Sequence, residues 1–273
     1  MNTLNLPEDI FPVMTNKKVY IVAHRGASDE APENTIPSFQ KAFSEGADFI
    51  EGDFWLTKDN RIVCIHDANT KRTSKTGSKL NVIKTKLSEL KTVDVGGWKN
   101  SRFEGTFIPT IEEIIDIIPK NRGLFIEVKD DRKEFLVKLS EVLKESKLSH
   151  DRIRIIAFNP DTIISAKKLF PEIKTYWLFE WFSSKRKCLN GIAHKRLMHT
   201  LKKLNCDGVD LNNALYIDNN LAESLKELGL ELCVYNVEKG EDAVRLAILG
   251  AGYITTNSPA KIIDYINSTV DLK

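Results

Sequence analysis

The sequence predicts a (β/α)8 barrel, a TIM-barrel architecture, with a β-hairpin extending the second strand and a small insertion. Three observations carry that prediction. Apolar β-type runs alternate with amphipathic runs of helical period along the 273 residues, the pattern of a parallel sheet covered by helices. Leaving the return arm of the hairpin aside, the runs number eight, and each precedes a helix or an insertion; eight such units suit a barrel of about 250 residues. The unusual polar residues fall at the C-terminal ends of the runs, where barrels of this class keep their chemistry. A doubly wound open sheet is the competing architecture. It calls for a glycine-rich phosphate turn after the first strand, and AHRGASDEAPENT contains no GxGxxG.

In chain order, residues 1–16 are a lead-in with two prolines, and 17–25 (KKVYIVAHR) form the first strand, ending at Gly26. The loop GASDEAPENT is rich in turn formers. Pro37 then opens a helix with Phe39, Ala42 and Phe43 on one face and Gly46 as its stop. The stretch 48–67, DFIEGDFWLTKDNRIVCIHD, reads as strand, tight turn and strand. A turn at 58–61 is too short for a parallel crossover, so the second run returns antiparallel. Folded about Lys58 and Asp59, the hairpin sets His66 opposite Glu51 and Cys64 opposite Asp53. Residues 68–109 show little periodicity beyond a short helix at 87–90 and read as an insertion over one domain spanning 1–273, not a domain of their own. Thr110 caps the next helix, with Glu112 and Glu113 in its first turn, where the helix dipole favours them. From there strands are expected at 123–129, 153–158, 175–179, 208–211, 232–237 and 253–256, with helices between them and Ser258-Pro259 opening the last helix.

Composition narrows the function. With 42% hydrophobic and 29% charged residues the chain has an ordinary soluble balance, and a net charge of +2 offers no case for a nucleic-acid partner. No run of 18 apolar residues exists, so no stable membrane insertion is expected. The first residues carry Glu8 and Asp9 and lack a basic region followed by an apolar one, so no secretory signal is read. The four cysteines show no CxxC spacing and read as reduced thiols. A cytoplasmic protein is the expectation; the oligomeric state is not readable.

The barrel brings Glu51 and Asp53 from strand two and Glu127 from strand three to one rim. Side chains two apart on a strand share a face, and carboxylates this close raise each other's pKa unless a cation neutralises them. All-oxygen ligands favour a hard ion, Mg²⁺ or Ca²⁺. His24 and His66 flank the carboxylates and suit general acid and base roles. Arg25 and Lys129 add fixed positive charge for phosphate oxygens. Together these groups suit phosphodiester cleavage, in which oxyanion charge must be stabilised and a leaving alcohol protonated.

The motifs HRG, PENT, E-x-D, HD and E-x-K occur in this order within HRGASDEAPENTIPSFQKAF, GADFIEGDFWLTKDNRIVCIHD and FIEVK. On them the chain resembles the glycerophosphodiester phosphodiesterase family from about Val19 to Ile262. The resemblance implies a divalent metal, Mg²⁺ or Ca²⁺, held by Glu51, Asp53 and Glu127. It implies His24 and His66 as the acid–base pair, Arg25 and Lys129 on the phosphate, and an insertion overhanging the site. The substrate would be a small glycerophosphodiester such as glycerophosphocholine or glycerophosphoethanolamine, giving glycerol 3-phosphate and an alcohol. Departures lie in the C-terminal half. Tyr235-Asn236-Val237-Glu238 stands for W-T-V-N, Thr255-Thr256-Asn257 ends the last strand in place of T-D, and Ala157-Phe158 stands where a serine is common. Tyr235 keeps an aromatic face able to pack on a glycerol backbone; a barrel-lining aromatic is its structural alternative.

Two other functions stay open on the sequence: a lysophospholipase D-type hydrolase at a membrane surface, and a silent barrel that binds a phosphorylated ligand. The basic run 183–187, beside Trp181 and Phe182, is the feature a lipid surface would use.

Overall fold

In this computed structural model the described residues are 19–180, 191–212 and 217–271. The lead-in, Lys17 and Lys18, Cys188 and the basic run 183–187 lie outside them.

Eight parallel strands close into a barrel: β1 (Tyr20–Ala23), β2 (Phe49–Leu56), β4 (Gly123–Val128), β5 (Ile153–Ala157), β6 (Lys174–Phe179), β7 (Gly208–Asn212), β8 (Glu231–Tyr235) and β9 (Tyr253–Thr256). The order around the barrel is β1-β9-β8-β7-β6-β5-β4-β2, and β1–β2 pairing closes it. The short antiparallel β3 (Ile62–Cys64) hangs on β2 outside the closed ring. The outer layer is α1 (Ile36–Ser44), α2 (Leu87–Leu90), α3 (Ile111–Asp116), α4 (Lys133–Glu145), α5 (Pro160–Leu169), α6 (Gly191–Leu204), α7 (Asn219–Glu227), α8 (Gly240–Ile248) and α9 (Pro259–Asp271).

Local chemistry sets the helix starts. Thr35 caps α1 and Thr110 caps α3, each in a reciprocal capping box that satisfies otherwise orphaned backbone donors. Period-2 alternation then splits the strand residues into two apolar layers. Outward residues such as Ile50, Phe54, Ile126, Ile155 and Val234 pack under the helices. Inward residues Phe49, Phe125, Tyr176, Cys233 and Tyr253 fill the lower barrel. There Phe49 meets Phe125 edge to face with centroids 5.5 Å apart, and Phe125 meets Tyr253 at 5.2 Å. The insertion has a small core of its own around Val82, Leu90, Val93 and Val95, joined by Val63 and Ile65 of the hairpin.

Two local expectations fail for identifiable reasons. The first strand stops at Ala23, short of Arg25, because Arg25 and Gly26 take φ of +55° and +83° and turn the chain away. A Cβ on Gly26 would sit 2.6 Å from the Ser38 carbonyl carbon, so this turn requires glycine. The hairpin register is shifted by one residue: Phe54, not Asp53, faces Cys64. The loop is three residues long, with Asn60 at φ +57° and the Thr57 N–H donating to the Arg61 carbonyl at 2.9 Å, which centres the turn on Asp59. Cys64 therefore lies on the outer face, over Gly52, where a Cβ would meet its sulfur at 2.8 Å. His66 follows β3 in a loop, not in a strand across from Glu51.

Candidate active site

The inward positions of β2 and β4 bring Glu51, Asp53 and Glu127 together at the C-terminal end of the barrel. All three are buried, and one oxygen from each lies within 4.8 Å of the others. Register explains the convergence, since Asp53 pairs with Glu127 across the β2–β4 ladder.

Two cations face this cluster. The left-handed turn at Arg25 points its backbone N–H at Glu51 Oε2, 2.9 Å away, and brings its Nε within 3.1 Å of Asp53 Oδ2. Lys129 Nζ lies 2.8 Å from Glu127 Oε1 and 3.5 Å from Asp53 Oδ1. Asn34, itself at φ +57°, donates from Nδ2 to Asp53 Oδ2 at 2.7 Å. Burial opposes ionisation of Asp53, but the Arg25 and Lys129 charges outweigh it and hold its carboxyl down to about 2. Burial and the Asp53 charge push Glu127 up to about 7, and burial with both neighbouring carboxylates pushes Glu51 well above the usual range. Three carboxyl groups thus share more negative charge than the site balances.

The donor set fits a hard divalent cation. Glu51 Oε1 and Asp53 Oδ1 are buried and accept no hydrogen bond, an arrangement that costs free energy unless a cation or donor meets them. The three candidate ligands supply only oxygen, the preference of Mg²⁺ and Ca²⁺.

Both histidines line the same cavity of about 130 Å³. His24 Nδ1 meets Asn257 Oδ1 at 2.7 Å. With that oxygen accepting, Nδ1 carries the proton and Nε2 presents its lone pair. Burial, then the Arg25 charge, lowers the His24 pKa to about 4. His66 Nδ1 meets Asp67 Oδ1 at 2.7 Å. Arg72 grips Asp67 at 2.9 Å and Glu33 at 2.7 Å, and Glu33 accepts from Arg25 Nη1 at 3.1 Å. An unbroken charged chain therefore runs from His66 through Asp67, Arg72, Glu33 and Arg25 to Asp53. Lys99 adds a tie from the insertion, donating to the Ser28 carbonyl at 2.8 Å.

The opposite wall of the cavity comes from the later strands: Ile156, Phe158, Leu178, Asp210, Tyr235 and Thr255. All eight residues expected at the site, His24, Arg25, Glu51, Asp53, His66, Glu127, Lys129 and Tyr235, meet at this end of the barrel. A larger cavity, about 990 Å³, opens at the other end, among Tyr20, Arg154, Lys174, Glu231 and Tyr253. Those residues begin strands, the end of such barrels associated with stability and not with chemistry.

The chain from residue 24 to 261 matches the model of the glycerophosphoryl diester phosphodiesterase family. The chain belongs to that family. A glycerophosphodiester phosphodiesterase of Caldanaerobacter subterraneus subsp. tengcongensis is 32% identical over 254 residues, covering 91% of this chain and 98% of its own. A lysophospholipase D of Mus musculus is 27% identical, covering 90% of this chain and 86% of its own. The structure of an Oleispira antarctica phosphodiesterase in complex with its product sn-glycerol-3-phosphate superposes with a TM-score of 0.79 at 28% identity, over 93% of this chain and 99% of that one. Within the family frame, the sequence reading passed over Glu33, Arg72 and Asp210. Asp210 carried a usable signal: a lone charge in the short apolar run GVDL, on the inward period.

Proposed function

We propose that this chain hydrolyses glycerophosphodiesters to glycerol 3-phosphate and an alcohol. The observation that carries the proposal is the pairing of two imidazoles, each held at Nδ1, with a carboxylate cluster and two cations around one small cavity. Glu51, Asp53 and Glu127 would hold a divalent metal, Mg²⁺ or Ca²⁺, whose positive charge, when bound, offsets charge developing on the phosphate oxygens.

The protein's own groups divide the remaining work. Arg25 and Lys129 hold the phosphate through charge-assisted hydrogen bonds. His24, neutral down to about pH 4, serves as base and takes the proton of the substrate's 2-hydroxyl as that oxygen attacks phosphorus. The bond from phosphorus to the alcohol oxygen breaks, and His66 gives that oxygen a proton. Asp67 lies behind the His66 ring, where a carboxylate balances the charge of a doubly protonated imidazole. Water then opens the cyclic phosphate with the two rings in exchanged roles. Tyr235 forms part of the wall against which the glycerol packs.

Among the described residues the cavity, of about 130 Å³, suits a small polar substrate and shows no acyl channel, which favours deacylated substrates over lysophospholipids. Product analysis after incubation with glycerophosphocholine tests the reading. Glycerol 3-phosphate and choline are expected; phosphocholine and glycerol, or turnover of lysophosphatidylcholine alone, would overturn it.

A further inference from the structure

Asp210 is a buried carboxyl to which the mechanism above gives no task. It sits on β7, between Leu178 of β6 and Cys233 of β8 in register. It is 2% exposed and lines the catalytic cavity, and its Oδ1 accepts no hydrogen bond. It is not one of the three carboxyls whose mutually close oxygens form the candidate metal cluster, Glu51, Asp53 and Glu127, although the Glu127 charge reaches it and, after burial, helps push its pKa up. The wall around it is otherwise mostly apolar: Ile156, Phe158, Leu178 and the ring of Tyr235. An unpaired polar atom in such a wall is destabilising, and a ligand that brings the missing partner removes the cost.

We propose that Asp210 is a specificity-determining residue that hydrogen-bonds the free primary hydroxyl of the substrate's glycerol moiety. This rests on the phosphodiesterase reading. Depth sets the orientation of the substrate. Phe158 is 45% exposed and marks the mouth, while Asp210 at 2% lies with Glu51 and Asp53 among the most buried groups of the site. Arg25 and Lys129, which would hold the phosphate, keep side-chain exposures of 19% and 17% and lie between these levels. The alcohol that leaves must reach an imidazole and depart through the mouth, so the glycerol end points inward. A hydroxyl satisfies Asp210 in either protonation state, because a carboxylate accepts a hydrogen bond from it and a carboxylic acid both donates and accepts. A methyl group or an ester at that position leaves the carboxyl unpaired. A site built to pair with a hydroxyl rejects the analogue that lacks it, because its buried polar group is then left unpaired.

The test is calorimetric binding, with Mg²⁺ present, of glycerol 3-phosphate and of 1,2-propanediol 1-phosphate, which lacks the terminal hydroxyl. Wild type, Asp210→Asn and Asp210→Leu are compared, with thermal transitions checking that each is folded. Wild type is expected to prefer glycerol 3-phosphate by about 100-fold, the upper range for leaving a buried acceptor unpaired. Asp210→Asn should keep part of the preference, and Asp210→Leu should reduce it to near unity. Equal binding of the two phosphates by wild type, an undiminished preference in Asp210→Leu, or no binding of glycerol 3-phosphate by wild type would overturn the inference. Should Asp210→Leu not fold, the wild-type ratio and the Asp210→Asn ratio still decide. Turnover of glycerophosphocholine by the same wild-type sample separates the two claims. A protein that prefers glycerol 3-phosphate yet cleaves nothing retires the phosphodiesterase reading and keeps the role of Asp210; one that cleaves without preference does the reverse.

Discussion

The two imidazoles are held by different partners, and their chemistry follows. His24 leans on a neutral amide and is half-buried beside Arg25, whereas His66 leans on a carboxylate at the cavity wall. Removing either ring, as His24→Asn or His66→Asn, should lower kcat by about 10²–10⁴-fold, with an unchanged circular dichroism spectrum. The depressed His24 pKa also has a stability consequence. Unfolded, the ring takes a proton below its ordinary 6.5; folded, it resists until about 4. In the metal-free protein, stability from this residue is therefore complete above pH 6.5 and is lost as pH falls from 6.5 towards 4, by roughly 3 kcal/mol. Denaturant unfolding of wild type and His24→Asn at pH 4.5 and 7 measures the difference, and the variant should lack this part of the acid destabilisation. The imidazoles, cations and carboxylates were legible in the sequence because they stand in short motifs. The Asn257 partner of His24 lies 233 positions away, so no local pattern could pair the two residues.

At the scale of elements, the decisive device is the strap from the insertion to the loop after β1. Arg72 binds Asp67 and Glu33 together, so one guanidinium orients His66 through the first carboxylate and Arg25 through the second. It is 42% exposed, so its pairs add little to global stability; the expected effect is on the placement of the groups proposed for catalysis. Arg72→Ala should reduce kcat by about 10–100-fold, the range for partners that orient site residues. The thermal midpoint should barely move, and Arg72→Lys should restore only part, since Lys cannot bridge two carboxylates as a planar fork. Steady-state kinetics with thermal denaturation of both variants measures this. Element types and order were readable from periodicity and turn residues. The hairpin register was not. Register depends on whether the loop holds two residues or three, and the left-handed Asn60 that selects three is one residue among several turn formers at 57–61.

Across the whole molecule, barrel closure assembles the site. Glu51, Glu127, Asp210, Tyr235 and Thr255 come from five strands spread over some two hundred positions, and parallel register sets all of them near one end. The alternation of apolar runs with helices made the barrel itself legible, because that arrangement buries both strand faces. The later strands were harder to read for function. Their inward residues are single polar or aromatic side chains in apolar runs, and only closure of the barrel shows which of them face the carboxylates. Crowding of three acidic groups with too little compensating charge is the property on which the functional account depends. It leads to one direct measurement: release of glycerol 3-phosphate from glycerophosphocholine by protein treated with EDTA, then supplied with Mg²⁺ or Ca²⁺, for wild type and for Glu51→Gln. The account predicts that chelation stops turnover, that one of these ions restores it, and that Glu51→Gln remains folded but inactive at ion concentrations that saturate wild type. Undiminished turnover in EDTA, or a wild-type rate from Glu51→Gln, would contradict it.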